Sequence, residues 1–321
     1  MSNHRSSYGR LTRAAALFAL IFAGYSSGAV ADSAAGAPAT APSGSASGKA
    51  AYTYQTLDYP GSSLTIFWGI NDFGELAGQY SINGGTSHAM AYRHGQFEPL
   101  DPSGVLGAYF SAAGGPNDLG TTYGGYADAT GQQHGFLMQG KRLDTVDFPG
   151  HLNSNVDGVN QFGAIAGVYW DADGVYHGIL RHGHGFDTPI NVAGALDTYP
   201  LGINGNDDVV GYWDTNAAQT HGFYRSANGQ FSTIDVPNAA ATVTFAVNDV
   251  GQIAGYYTDA SGALHGFVET QKHFHNLDVP GATATIATAI NNFGVVAGEY
   301  FDAAGKRHGF TATPVKTVRP N

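Results

Sequence analysis

The stretch of sequence that decides the fold is TIATAINNFGVVAGEYFDAAGKRHGF, residues 285–310. Two short aliphatic runs flank the tetrapeptide Asn291-Asn-Phe-Gly294, and a second tetrapeptide, Asp302-Ala-Ala-Gly305, leads into His308-Gly309-Phe310. A side-chain acceptor at the first position and glycine at the fourth are typical of type I turns. Short strands joined by such turns predict antiparallel hairpins.

The same pattern recurs six times along the chain. The triplet begins at His88, His134, His177, His221, His265 and His308, and a landmark asparagine accompanies it at Asn71, Asn117, Asn160, Asn204, Asn248 and Asn291. Both series have spacings of 46, 43, 44, 44 and 43 residues. Two markers in step exclude chance, and four short strands per period of this length are typical of a propeller blade.

The sequence therefore predicts an all-β fold, a six-bladed β-propeller of four-stranded antiparallel blades. The residue two before each landmark asparagine is small, as a crowded axis requires: Gly69, Gly115, Gly158, Gly202, Ala246 and Ala289. An open β-solenoid and two separate sheets are the alternatives, but solenoid coils are usually shorter and parallel. Because the last copy lacks a fourth strand, Tyr52 to Asp58 is expected to supply it and close the ring.

The segment before the repeats has two parts. Residues 1–31 combine a basic start, a short apolar stretch and Ala-Val-Ala at positions 29–31, the pattern of a secretory signal peptide, with an uncleaved membrane anchor as the alternative. Residues 32–51 are almost wholly Ala, Gly, Ser, Pro and Thr, which favours a disordered linker. We predict a propeller at 52–313, a C-terminal tail at 314–321, a secreted protein in the extracellular medium or periplasm, and no membrane span after signal cleavage.

Charge and composition limit the partners and the chemistry. Removal of the signal takes away three arginines and no acid, leaving 11 Lys plus Arg (14 − 3) against 25 Asp plus Glu, a net charge of −14. Such a surface repels phosphate backbones, so no nucleic-acid partner is expected. The chain has no cysteine, which excludes disulfides, thiolate metal sites and thiol nucleophiles.

The repeated Ile-Asn-x-x-Gly-x-Val-x-Gly followed by His-Ala/Gly-Phe resembles the bacterial extracellular HAF-repeat family, named for a His-Ala-Phe triplet. The resemblance covers residues 52–313. Four copies read His-Gly-Phe, the copy at His177 reads His-Gly-Ile, and the His-Ala copy ends in Met90. The resemblance implies a secreted, propeller-like repeat protein. It transfers no catalytic residues, because the family has no established activity.

Candidate binding residues lie where the copies differ. The loops that lead into the first strands are 16 residues from Asp101 to Asn117 and 17 from Asp187 to Asn204, against a norm of 13. Binding residues favour loops held on a rigid scaffold. The loop face offers eight candidate ligand-binding residues, Trp68, Phe110, His151, Asn153, Asn155, Asp157, Asp197 and Tyr199. Aromatic, amide and carboxylate side chains suit a polar, uncharged ligand such as a glycan.

Two functions remain open at this stage. The favoured one is a monomeric, non-catalytic binding or surface-interaction module for a glycan, cell-envelope material or a protein ligand. The alternative is a polysaccharide-cleaving hydrolase or lyase, for which convergent loops would have to bring together His151, Asp157, Asp197 and Tyr199. The predicted mature chain has no Gly-x-Ser-x-Gly, His-Glu-x-x-His or phosphate-binding loop. The absence of these catalytic motifs favours the non-catalytic function over the enzyme.

The repeated residues are interpreted as structural. A residue that recurs in every blade lies at six separate sites, whereas catalysis needs one constellation. We therefore expect the six histidines to be buried and to bond the backbone or the Asn and Asp turns of their own blades. No cofactor is expected. Asp171 and Asp173 form the strongest calcium candidate, but two carboxylates are few for an ion that takes six to eight oxygens.

Overall fold

The computed structural model describes residues 52–100, 110–128, 130–172, 174–183, 186–215 and 219–315. The predicted signal peptide and linker, and residues 316–321 of the predicted tail, lie outside these residues. All the regular structure in the described part is β-strand, as predicted.

After an N-terminal strand, the strands follow one another in five groups of four and a last group of three, which we call units one to six. An N-terminal strand, β1 (Tyr52–Thr56), precedes unit one, β2 (Leu64–Ile70), β3 (Leu76–Ser81), β4 (His88–Arg93) and β5 (Gln96–Pro99). Unit two is β6 (Phe110–Gly114), β7 (Thr121–Ala127), β8 (Gln133–Gln139) and β9 (Arg142–Val146). Unit three is β10 (Asn153–Val159), β11 (Ile165–Trp170), β12 (Tyr176–His182) and β13 (Phe186–Pro189).

The second half repeats this order. Unit four is β14 (Asp197–Ile203), β15 (Val209–Asp214), β16 (Thr220–Arg225) and β17 (Phe231–Ile234). Unit five is β18 (Ala241–Val247), β19 (Ile253–Thr258), β20 (Leu264–Thr270) and β21 (His273–Asn276). Unit six is β22 (Ala284–Ile290), β23 (Val296–Phe301) and β24 (Arg307–Pro314), which ends one residue inside the predicted tail.

Units two to five each form a separate four-stranded antiparallel sheet in sequence order. Units one and six share one eight-stranded sheet, because β2 and β24 make a single parallel pair between Leu64 and Arg307. The strand β1 pairs antiparallel with β24, from Tyr52 opposite Pro314 to Thr56 opposite Phe310. The fourth strand beside β24 therefore comes from the opposite end of the chain.

Small residues let the first strands of neighbouring units approach closely. A Cβ on Gly202 would lie 2.5 Å from the carbonyl oxygen of Phe245 in the next unit, and one on Gly69 would overlap the backbone of Gly115. The register shifts at Gly202 and Gly69, as a β-bulge does, and this kink brings the glycine against the neighbouring strand. The glycine two residues before the landmark asparagine is thus a packing requirement in these two units.

The landmark asparagines link the units to one another. Each Oδ1 accepts backbone N–H groups of its own turn, as Asn204 does from Asn206 and Asp208 at 3.0 and 2.9 Å. Each Nδ2 donates to the carbonyl oxygen of the next landmark asparagine, at 3.5, 3.1, 3.0, 3.1 and 2.9 Å along the chain. The last of them, Asn291, donates to Asn71 at 3.0 Å. These bonds run from unit one to unit six and back to unit one.

The repeat histidines differ from the expectation of full burial. Each ring stacks on an aromatic residue of the second strand, as His308 does on Tyr300 at 4.9 Å between ring centroids. Its Nδ1 lies 2.7 Å from Asp58 and its Nε2 lies 3.3 Å from Asp302, while 14% of the side chain remains exposed. The predicted bond to an aspartate turn is present here. The imidazole is not fully buried, because the two carboxylates that it bonds are charged and remain partly exposed to water.

The turn aspartates beside these histidines make stability sensitive to acid. Hydrogen bonds from Thr130 and Ser261 lower the pKa values of Asp128 and Asp259 to about 2, and backbone N–H groups lower the pKa of Asp302. A carboxylate with a lowered pKa in the folded state stabilises the protein above its unfolded pKa of 3.8, and this contribution is lost as the pH falls towards 2.

We therefore expect the melting temperature to fall steadily between pH 4 and pH 2. Replacing Asp259 with asparagine, which keeps an acceptor but has no charge to lose, should make this fall shallower. Calorimetric melting curves of both proteins across this range test the prediction. Parallel curves for the two proteins would contradict it.

Candidate functional site

The first strands converge on a cavity of about 160 Å³, which we call the axial cavity. Its inner wall includes Trp68, Tyr123, Asn155, Asp157 and Phe245. Its outer part is lined by residues that directly follow the landmark asparagines, namely Asp72, Asp118, Gln161, Asp249 and Asn292. Because Asp118 is exposed, the cavity reaches the surface on the side of the asparagine turns.

An aromatic cluster fills the other side of the axis. Tyr199 stacks on Tyr212 at 4.4 Å between ring centroids, and both are buried. The cluster continues through Val243 and Ile286 of units five and six, and Trp68 packs against it. The cavity therefore opens at the asparagine turns and ends at these aromatic side chains.

Asp157 is the chemically unusual group in the axial cavity. Burial raises the pKa of Asp157 to about 7. Its Oδ1 accepts a hydrogen bond from the side chain of Asn155, whereas its Oδ2 is shielded from solvent and has no hydrogen-bond partner in the described part of the chain. A buried carboxylate oxygen without a donor costs free energy, which a ligand with a hydrogen-bond donor can recover.

Aromatic groups surround this carboxylate. Burial raises the pKa of the Tyr123 phenol, and the nearby charge of Asp157 raises it further, so the phenol stays protonated. Trp68 and Phe245 both line the inner wall, and their ring centroids lie 6.2 Å apart. The inner wall thus combines a carboxylate, an amide and aromatic rings, which can contact the faces of a ligand while the polar atoms orient it.

The cavity is lined by acidic groups at its mouth and on its inner wall. Four aspartates line it, Asp72, Asp118, Asp157 and Asp249, and none of the described lining residues is Lys, Arg or His. The outer carboxylates accept hydrogen bonds from neighbouring turns, such as that from Asn292 Nδ2 to Asp72 at 3.0 Å. Such bonds satisfy oxygens but leave the charge uncompensated, so the cavity attracts cations.

Comparisons with known proteins bear on the fold. No family model matches the chain, and no curated protein matches it. The structure of a putative TolB from Agrobacterium tumefaciens is similar over 78% of this chain and 91% of that one, with a TM-score of 0.54 and 10% identity. The fold is a β-propeller.

Two further solved structures align over most of this propeller. A gluconolactonase from Xanthomonas campestris aligns with 82% of this chain and 90% of its own, at a TM-score of 0.48 and 11% identity. The Aleuria aurantia lectin in complex with Fucalpha1-6GlcNAc aligns with 81% of this chain and all of its own, at a TM-score of 0.47 and 9% identity. Fold alone does not determine function, so the site must be interpreted from its own residues.

The propeller brings three of the eight candidate binding residues together. Trp68, Asn155 and Asp157 line the axial cavity. Two others lie on the side where the loops enter the first strands, which we call the lead-in side. His151 Nδ1 lies 3.1 Å from Asp171, and the His151 ring stacks on Tyr169. Asn153 accepts a hydrogen bond from Gln133 N–H.

The remaining candidates have other surroundings. Asp197 accepts the N–H of Tyr176 at 2.8 Å, and Tyr199 belongs to the aromatic cluster. Phe110 begins β6, and its side chain lies outside the described part of the structure. The four residues considered for a cleaving site are therefore divided between the cavity, the lead-in side and the core.

The structure also bears on the calcium candidate and on possible membrane-spanning helices. Asp171 bonds His151 and the N–H of Leu152, whereas Asp173 lies outside the described residues. Within the described ranges no group of three His, Cys, Asp or Glu side chains has the geometry to hold a metal ion. No helix in that part of the chain is long and apolar enough to cross a membrane.

Sequence reasoning did not identify four residues of the site, Tyr123, Asp72, Asp118 and Asp249. A signal for the last three was present, because an aspartate directly follows the landmark asparagine in three of the six copies. Tyr123 belongs to the second strand of unit two and packs against Gly114 and Gly115 of the same unit, where the landmark pattern gives no signal of a binding residue.

Proposed function

We propose that this chain is an exported, six-bladed propeller of the HAF-repeat type, with β1 closing the ring, that acts as a non-catalytic binding module. The succession of asparagine bonds from Asn71 to Asn291 and back supports the blade count and the closure. The pairing of β1 with β24 gives the last blade its fourth strand. Export rests on the signal-like pattern of residues 1–31.

The ligand group that fits the axial cavity is a cation. The observation that carries this proposal is Asp157, a half-buried residue whose Oδ2 is shielded from solvent and has no hydrogen-bond partner in the described part of the chain. The cavity around it is lined by three further aspartates and no basic residue. Ammonium and guanidinium groups donate charge-assisted hydrogen bonds, which are stronger than neutral ones. This charge favours a cationic group over the uncharged ligand that the sequence suggested.

The size of the cavity limits what enters it. At about 160 Å³ it is smaller than the ~300–1,000 Å³ pockets that bury drug-sized ligands. It accepts one side chain or one sugar ring, so the rest of a larger ligand would stay outside. Amino sugars of glycans or cell-envelope material and basic side chains of polypeptides share the required chemistry.

A matched pair of probes tests the proposal, Nα-acetyl-lysine amide and Nα-acetyl-norleucine amide, which differ chiefly in the ammonium group. By calorimetric titration at pH 8 we expect the lysine probe to bind about tenfold more tightly, or about 1.4 kcal/mol. Glucosamine and glucose form a second pair for the sugar ligands. Because Asp157 ionises with a pKa of about 7 while lysine stays charged, the preference should weaken at pH 6.

The variant Asp157→Asn should lose this preference and gain stability. A pKa raised above its unfolded value of 3.8 costs the folded state stability as the pH rises towards 7, and asparagine removes that cost. We expect a melting temperature about 2–5 °C higher at pH 8 and little changed at pH 4. Such a gain would show that the loss of binding does not come from unfolding.

Asp197→Asn is the matched control, since Asp197 is a first-strand aspartate that does not line the cavity. It should keep the preference for the ammonium probe. Equal binding of lysine and norleucine probes by the unaltered protein, or an unchanged preference in Asp157→Asn, would overturn the proposal.

A further inference from the structure

Large apolar side chains surround the mouth of the axial cavity. The third residue of each asparagine turn is apolar in five of the six units, and each of these side chains is exposed: Phe73 at 77%, Leu119 at 64%, Phe162 at 79%, Val250 at 69% and Phe293 at 70%. We call these five residues the apolar rim. Single exposed apolar residues are ordinary, whereas a set gathered on one face marks an interaction surface.

The turns that carry the apolar rim are bonded into one rigid collar. The N–H of Asp72 donates to Asp118 at 2.9 Å, that of Asp249 to Asn292 at 2.7 Å, and that of Asn292 to Asp72 at 2.8 Å. The turn of unit four joins that of unit five, because Gly205 N–H donates to the Asp249 carboxylate at 2.6 Å. A surface already fixed in its bound shape loses little conformational entropy on binding.

The turn sequence does not require apolar residues at these positions. The third position of the turn in unit four is Asn206, whose side chain donates to the carbonyl oxygen of Asp249 at 3.1 Å. The backbone N–H groups of Asn206 and Asp208 donate to Asn204 Oδ1, as those of the other turns do to their own asparagines. A polar residue is therefore compatible with the turn, and five apolar ones need another reason.

The negative charge inside the apolar rim limits which partner could cover it. Asp72, Asp118 and Asp249 lie inside it at the cavity mouth. A second copy bound face to face would bring these carboxylates against their own counterparts, and an anionic lipid surface would be repelled as well. A partner that is apolar at its edges and basic at its centre complements the face in both respects.

We propose that the apolar rim and the axial cavity together bind a polypeptide partner, which inserts a lysine or arginine side chain into the cavity and packs flanking apolar residues on the rim. This inference rests on the proposed cation site and extends it to a substrate class. The rim supplies contact area, which adds affinity, while the carboxylates fix the position of the basic side chain.

Three synthetic peptides test the inference with the full protein. They are acetyl-Phe-Gly-Lys-Gly-Phe-amide, the same peptide with glycine in place of both phenylalanines, and the phenylalanine peptide with norleucine in place of lysine. In calorimetric titrations we expect the first to bind about tenfold more tightly than either of the others, because it alone contacts both the rim and the cavity.

The triple variant Phe73→Ser/Phe162→Ser/Phe293→Ser separates the rim from the cavity. It should abolish the advantage of the phenylalanine flanks and leave binding of the glycine-flanked lysine peptide unchanged. Ile82→Ser/Leu152→Ser is the control, since these residues are 45% and 55% exposed on the lead-in side. It should keep the full advantage.

Each result supports or overturns the inference separately from the cation site. If the triple variant keeps the advantage of the phenylalanine flanks, the inference is wrong although the cation site stands. Binding of glucosamine oligomers or of phosphatidylglycerol vesicles that the triple variant abolishes, with no effect of the peptide flanks, would replace the polypeptide by a glycan or a membrane. A dimer in sedimentation analysis that the triple variant dissociates would replace it by a second copy.

Discussion

Replacing Asn204 with alanine should lower the free energy of unfolding by ~3–5 kcal/mol, a large effect for a single substitution. Asn204 is 4% exposed. Its Oδ1 accepts two backbone N–H groups of its turn, and its Nδ2 donates to Asn248 and Asp208, both at 3.1 Å. Alanine would leave buried donors and acceptors without partners in two units at once.

Asn206→Ala is the matched control, because Asn206 lies in the same turn, is exposed and donates one hydrogen bond. We expect it to cost less than ~1 kcal/mol. Urea unfolding curves of the three proteins would give the free energies. An Asn204 variant that unfolds at the same urea concentration as the control would show that the asparagine bonds contribute little to the association of the blades.

The geometry of these bonds explains why the sequence predicted a β-propeller of four-stranded sheets. A residue that must fill one role in every unit recurs at every period, and the landmark asparagines do so because each serves its own turn and the next unit. The pattern therefore predicted four-stranded antiparallel sheets and the position of β1 beside β24. The bonds between asparagines of neighbouring units were not predictable, since they depend on the distance between sheets.

The candidate site was harder to predict because a periodic pattern does not reveal which end of a strand holds a ligand. Trp68, Asn155 and Asp157 were identified from their chemistry but assigned to the lead-in side, together with His151 and Asp197. The cavity they line opens at the other end, because aromatic residues such as Tyr199 fill the axis on the lead-in side. The outcome depended on side-chain volumes at the axis, which the repeat leaves free to vary.

The apolar rim was also missed by the sequence analysis, although its residues lie in turns that were predicted. Phe73, Phe162 and Phe293 follow the landmark asparagine within turns that the sequence predicted correctly. Turn chemistry explains the asparagine and the glycine, and it says nothing about the residue between them. That residue became informative only when the turns were found together around a cavity lined by carboxylates.

Removal of residues 52–56 should lower the melting temperature by roughly 10 °C or more. Five residues of β1 pair with β24, and each backbone hydrogen bond contributes ~0.5–1.5 kcal/mol. Tyr52 and Tyr54 also pack against the core cluster of units five and six. For a domain of this size each kcal/mol corresponds to about 2–4 °C.

The deletion should have a second effect, because it exposes an unpaired edge of β24 and such edges pair with other chains. Light scattering on heating should therefore rise earlier in the deletion protein. Removal of residues 32–51, the predicted linker, is the control and should leave both measurements unchanged. An unchanged melting temperature after removal of residues 52–56 would show that β1 adds little stability. The asparagine bonds and the pairing of β2 with β24 would then suffice to hold units six and one together.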